Sequence, residues 1–176
     1  MIAATSHNAT VDGAGPTFQQ IVSDHGALIS RIANSYEADP LLREDLVQQI
    51  LLAVWQALPR FRGDSSLKTF VARIAQNRSI SHVARRVREP RSAELSEQLA
   101  TDLPSPEESA SEASERRFLM EKTRLLPLPQ RQVIVLVLEG FSYAEIADML
   151  GIPPNALSVR LTRAKAALKL ALEQKP

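Results

Sequence analysis

The chain has 176 residues and no cysteine. Disulfides, a cysteine zinc knuckle and thiol-based redox sensing within this chain are therefore excluded. No stretch approaches the roughly eighteen consecutive apolar residues that would span a bilayer, so no membrane insertion is expected. The first residues lack a basic segment followed by an apolar one, which argues against a secretory signal and for a cytoplasmic protein. There are only six glycines, and none forms a P-loop or another glycine-rich phosphate cradle. No nucleophile and base stand at a recognisable spacing. His25 and His82 are isolated, with no second ligand at helical spacing, and read as packed or surface residues rather than metal ligands. No enzyme, cofactor or metal site is expected.

What is present is helical. Apolar residues make up 44% of the chain, which excludes global disorder. The stretch 1–16 is rich in Ala, Thr, Ser, Asn and Gly without period and reads as a disordered tail. From Thr17 the apolar residues Phe18, Ile21, Val22, Leu28, Ile29, Ile32 and Ala33 recur every three or four positions, one wide helical stripe. Asp39 and Pro40 then suit an N-cap and a first helical position, and Pro59 cannot continue a helix. Between them Leu46, Ile50, Val54 and Ala57 form a core face. The opposite face carries Asp45, Gln48, Gln49, Leu52 and Gln56, with Trp55 at its edge. A polar face bearing a leucine and a tryptophan fits a partner surface as well as an ordinary amphipathic helix.

A loop follows, Arg60-Phe61-Arg62-Gly63-Asp64-Ser65-Ser66, and Ser65 or Ser66 caps a helix reaching about Val87. Its inner face is read as Leu67, Phe70, Val71 and Ile74, and Arg73 and Asn77 stand one turn apart on a flank. From Arg60 to Arg91 nine basic residues face two acidic ones, a local charge of +7 in a chain whose net charge is +1. Charge then reverses. From Ser92 to Glu115 there are seven acidic residues and no basic one, with Pro104 and Pro106 interrupting. This reads as a solvated, flexible linker over 92–104. Ser105 to Glu108 has the form of a capping box, placing the start of a second half at 105.

In that half, Val133 to Leu138 is an apolar run that strand propensity would also accept. Pro129 before it and Gly140 after it favour a helix. Ser142-Tyr143-Ala144-Glu145 is a further capping box, for a helix expected to bury Tyr143, Ile146, Ala147 and Leu150. Gly151 permits a left-handed turn and Pro154 starts another helix, completing a helix-turn-helix. In the last helix Leu157, Leu161, Ala164 and Leu168 share the core face. Asn155, Ser158, Val159 and Thr162 point the other way, with Arg163 at the edge. Asn155, Ser158 and Thr162 can hydrogen-bond base edges and Val159 can meet a thymine methyl, while Arg160, Lys165 and Lys169 suit phosphates.

The motifs D-L-V-Q-x-x-x-L-x-x-W (Asp45 to Trp55), F-R-G-D-S-S-x-x-T-F (Phe61 to Phe70) and R-I-A-x-N (Arg73 to Asn77) resemble region 2 of the extracytoplasmic-function sigma factors of bacterial RNA polymerase. E-G-F-S-Y-A-E-I-A-x-x-L-G-I-P (Glu139 to Pro153) and R-L-x-R-A-K (Arg160 to Lys165) resemble their region 4. The resemblance implies an all-α fold of two small helical domains, 17–91 and 105–176. It implies docking on core RNA polymerase through Asp45, Gln48, Gln49, Leu52 and Trp55, with Gln49 standing where the family usually carries an acid. It assigns −10 promoter contacts to Phe61, Asp64, Arg73 and Asn77. The −35 contacts fall to Asn155, Ser158, Val159, Arg160, Thr162 and Arg163. Promoter DNA and an anti-sigma factor are the further partners implied. The rival is a stand-alone helix-turn-helix regulator of duplex operators, but the stretch from Asp39 to Arg88 resembles neither a sensor nor a dimerisation domain.

Overall fold

The computed structural model describes residues 16–88 and 110–173. Among these residues seven α-helices run in chain order: α1 (Phe18–Asn34), α2 (Pro40–Ala57), α3 (Leu67–Arg88), α4 (Ala110–Arg124), α5 (Leu128–Leu138), α6 (Tyr143–Leu150) and α7 (Pro154–Glu173). A 3-10 turn, Leu58–Arg60, ends α2 at Pro59. The described residues contain no strand. The expected N-terminal tail, the linker over 92–104 and the Ser105 capping box lie outside the described residues, apart from Pro16.

Local chemistry sets the helix starts. Thr17 and Gln20 close a reciprocal capping box on α1, with the Thr17 N–H donating to Gln20 Oε1 at 2.8 Å. The Asp39 carboxylate accepts from the N–H groups of Leu41 and Leu42, at 2.9 and 3.1 Å, and Pro40 follows. Ser66 is the residue that caps α3, its Oγ accepting from the Thr69 N–H at 3.1 Å. Each cap satisfies donors that the first helical turn leaves without partners.

The first three helices form one bundle. Ile21, Leu28, Ile29 and Ile32 of α1, Leu46, Ile50 and Val54 of α2 and Val71 of α3 are buried together. The inner face of α3 differs from expectation. Leu67, Phe70 and Ile74 are only partly buried, whereas Ala72, Ala75, Gln76, Ser79 and His82 are buried. Small side chains let α1 and α2 approach the α3 backbone closely, and such residues add little to a hydropathy pattern. His82 joins this interior through polar chemistry. Arg85 donates to its Nδ1 at 3.3 Å, so its Nε2–H donates to Glu37 at 2.7 Å. The other Glu37 oxygen accepts the Asp39 N–H at 3.0 Å. The histidine thus pins the α1–α2 connection to α3 and binds no metal-like cluster among the described residues.

The second bundle is α4 to α7. Val133 to Leu136 are all buried in α5, so a run with strand propensity becomes a fully enclosed helix. Ser142 and Glu145 form the expected capping box on α6. Tyr143, expected in the core, is 54% exposed. With Ser142 as the cap, the residue before it packs on the fourth helical position, a hydrophobic staple, and here these are the buried pair Phe141 and Ile146. Gly151 ends α6 at φ 62°, a left-handed turn that costs other residues a Cβ clash.

The two bundles touch. The Arg31 guanidinium grips the Glu139 carboxylate with bonds of 2.8 to 3.1 Å. The Arg124 guanidinium donates at 2.8 Å to the Asn34 carbonyl at the end of α1, where a cation complements the helix dipole. Arg131 lies over the Tyr36 ring. The Tyr36 hydroxyl donates to Gln76 at 2.5 Å, and its burial pushes its pKa well above the ordinary tyrosine value.

Candidate polymerase and nucleic-acid interfaces

The outward face of α2 is set by the burial of its inward one. Because Leu46, Ile50, Ala53 and Val54 are buried, Asp45, Gln48, Leu52 and Trp55 must point away from the bundle. All four are exposed, Leu52 at 53% and Trp55 at 57%. Gln49 is half-buried, at the edge of this strip. Two large apolar side chains thus face solvent on a well-packed helix, where they are accessible to a partner's apolar surface.

After α2 the chain turns at Gly63, where φ is 79°. Phe61 is half-buried, its ring leaning on Phe70 with centroids 4.8 Å apart. Asp64 and Asn77 are exposed. Arg73, one turn before Asn77, is half-exposed and forms an ion pair with Asp148 of α6. Thr69 donates to Glu145 of α6 at 3.1 Å, and Lys68 donates to the Glu139 carbonyl at 2.7 Å. The same ammonium stands 4.6 Å from the centre of the Phe141 ring. The N-terminal half of α3 is thus basic and already engaged by the second bundle. Sequence spacing gave no sign of these partners, since they lie more than seventy residues apart in the chain. Hydrogen bonds from Ser142 hold the Glu145 carboxyl below the usual carboxylate range, so it is ionised at neutral pH.

On α7 the burial of Leu157, Leu161 and Ala164 turns Asn155, Ser158, Val159, Thr162 and Arg163 outward, all exposed. Arg160 is half-buried. Thr162 Oγ donates to the Ser158 carbonyl at 3.0 Å, leaving its oxygen free to accept. Asn155 Oδ1 accepts the Ala156 N–H at 2.9 Å, so its amide N–H groups are the part that faces outward chemistry. The face offers short polar side chains and one valine, the composition that fits a major groove.

Two family models match the chain: Sigma-70 region 2 over residues 21–89 and Sigma-70 region 4 over residues 119–168. The chain is 30% identical over 165 residues to the RNA polymerase sigma factor NccH of Alcaligenes xylosoxydans xylosoxydans, covering 89% of this chain and 87% of the relative. It is 29% identical over 134 residues to the ECF RNA polymerase sigma-E factor of Escherichia coli (strain K12), covering 70% of each. Among solved structures, the sigma factor RpoE of Bartonella quintana, in complex with the anti-sigma factor NepR, superposes with a TM-score of 0.72. The identity there is 25%, over 90% of this chain and 98% of that one. With both regions present in order, the chain belongs to the extracytoplasmic-function sigma factors of the sigma-70 family, which direct core RNA polymerase to specific promoters and promote DNA opening.

Proposed function

We propose that the sigma activity of this chain is divided among three surfaces. The outer strip of α2 (Asp45, Gln48, Gln49, Leu52, Trp55) docks on core polymerase. The loop after α2 and the flank of α3 (Phe61, Asp64, Arg73, Asn77) bind the opened −10 element. The outer face of α7 (Asn155, Ser158, Val159, Arg160, Thr162, Arg163) reads the −35 element. Residues 17–91 and 105–176 are the corresponding domains. The observation that carries this reading is the pair Leu52 and Trp55, exposed on a helix whose other face is fully buried. A regulator acting alone on duplex DNA has no need of such a strip. The chain itself makes or breaks no covalent bond, and it works in the cytoplasm, where the polymerase is. The sigma factor RpoE of Bartonella quintana, whose fold this chain shares, is seen with the anti-sigma factor NepR, and we assign this chain a partner of the same kind.

The test is reconstitution. The purified chain added to core polymerase is expected to start RNA at discrete 5′ ends that vanish when it is omitted. The free chain is expected to bind duplex DNA weakly, with little sequence preference and a steep loss with salt. Nanomolar, sequence-specific duplex binding without polymerase would replace this reading with the operator-binding regulator.

A further inference from the structure

The seam between the bundles reaches the surface assigned to the −10 element at Arg73. Lys68, Thr69 and Arg73 lie along one flank of α3, and all three are bonded to the turn and helix that precede α7. Lys68 meets the Glu139 carbonyl, Thr69 the Glu145 carboxylate and Arg73 the Asp148 carboxylate. Arg31 of α1 holds the Glu139 carboxylate beside them. Carbonyl and carboxylate oxygens presented to a lysine, a hydroxyl and an arginine repeat the chemistry of phosphate oxygens on the same groups.

Size makes this arrangement exclusive of promoter binding. Elements about 25 base pairs apart are separated by roughly 85 Å at about 3.4 Å per step. A compact body of this length has a radius of gyration of about 16 Å. The closed molecule cannot place α3 and α7 on both elements at once.

We propose that the acidic edge of the helix-turn-helix half, Glu139, Glu145 and Asp148, acts as an internal phosphate mimic that occupies the −10 surface of the free protein and must be displaced before promoter binding. This rests on the assignment of α3 to the −10 element. The device is electrostatic, so it weakens with ionic strength, and its acidic side chains Glu139, Glu145 and Asp148 lie outside all three proposed contact surfaces.

The chain's lack of cysteine allows a clean distance measurement. Dyes placed by Ser23→Cys and Ala166→Cys, both exposed and one in each half, report closure by energy transfer. In the full chain, Glu139→Ala with Asp148→Ala is expected to lower transfer at low salt to the value that the parent reaches only at high salt. Affinity for a labelled single-stranded DNA of mixed sequence is expected to rise about three- to tenfold, about 0.7–1.4 kcal/mol. Arg31→Ala attacks the seam from the other half, leaves α6 intact, and is expected to shift transfer in the same direction. Unchanged transfer in both variants overturns the latch. Lowered transfer with unchanged DNA affinity overturns the occlusion. Failure of the α3 assignment itself is read elsewhere, as normal promoter opening by a holoenzyme carrying Asn77→Ala, a residue outside the seam.

Discussion

Leu52→Ala and Asn77→Ala should separate two activities that a single mutant could not. Leu52 is 53% exposed, so roughly 100 Å² of it is available to a partner, and full burial at about 25 cal/mol per Å² is worth up to about 2.5 kcal/mol. Truncation to alanine removes most, though not all, of that area. A loss of about 2 kcal/mol, near thirtyfold in affinity for core polymerase, is expected. Stability should not change, because alanine is a better helix former than leucine and no core contact is lost. Asn77 is exposed on a different helix, and its amide would meet an unpaired base edge only after melting. Its loss should leave polymerase affinity intact and reduce open complexes by about 1–3 kcal/mol, roughly five- to 150-fold.

The paired assay is polymerase affinity by gel shift and promoter opening by permanganate footprinting on both mutants. Thermal unfolding of the same samples separates loss of contact from loss of fold. At saturating polymerase, the Leu52→Ala defect in opening should disappear, because it acts through occupancy, while the Asn77→Ala defect should persist. If the two mutants share one profile in both assays, or if saturation rescues both, the division between α2 and α3 is wrong.

Three further outcomes follow from single residues. Tyr36 has an ordinary value of 10.0 that burial raises in the native state; below that value both states hold the proton, and above it only the unfolded chain releases it. Stability should therefore fall as pH rises past about 10, and Tyr36→Phe should flatten that part of a denaturant-midpoint profile while costing about 1–2 kcal/mol at neutral pH through the unpaired Gln76 oxygen. Glu37→Ala leaves His82 and Arg86 without their shared acceptor and should cost about 2–3 kcal/mol, read as a fall of several degrees in the unfolding midpoint. Ser142→Ala removes the hydroxyl half of the α6 capping box and leaves the backbone N–H to Glu145 half in place; it should cost about 1 kcal/mol in thermal unfolding, with protection of α6 amides from hydrogen exchange lost before that of α1.

Helix boundaries were legible because caps are local. Asp39 with Pro40, and Ser142 with Glu145, each satisfy backbone donors within three residues of themselves, so spacing alone announces them. The outward placement of Leu52 and Val159 was legible for a related reason: it is the complement of a strong apolar periodicity. What escaped is what depends on the other bundle. Tyr143 and Phe141 are both apolar and adjacent to the same cap, and only the staple decides which is buried. The interior face of α3 escaped because alanine and serine are there for their size. The partners of Lys68, Thr69 and Arg73 escaped because an ion pair between residues more than seventy positions apart leaves no period to read.

The chemistry of the seam also bears on the order of events at a promoter. An apolar seam would tie the halves together whatever surrounded them, since water does not compete for apolar surface. A seam of lysine, arginine, hydroxyl and carboxylate is exchangeable, because each contact can be traded for one to phosphate with little net change. The apparent affinity for DNA is then the intrinsic affinity reduced by the fraction of molecules that are open. Docking carries no such reduction, because Leu52 and Trp55 remain exposed while the seam is closed. Polymerase can therefore bind the closed protein at full strength, and DNA cannot. Any contact the polymerase makes preferentially with separated halves shifts the closed population toward the open one, and by linkage DNA and polymerase then favour each other's binding. On this scheme, breaking the Arg31–Glu139 and Arg73–Asp148 pairs raises the DNA affinity of the free protein more than that of the holoenzyme.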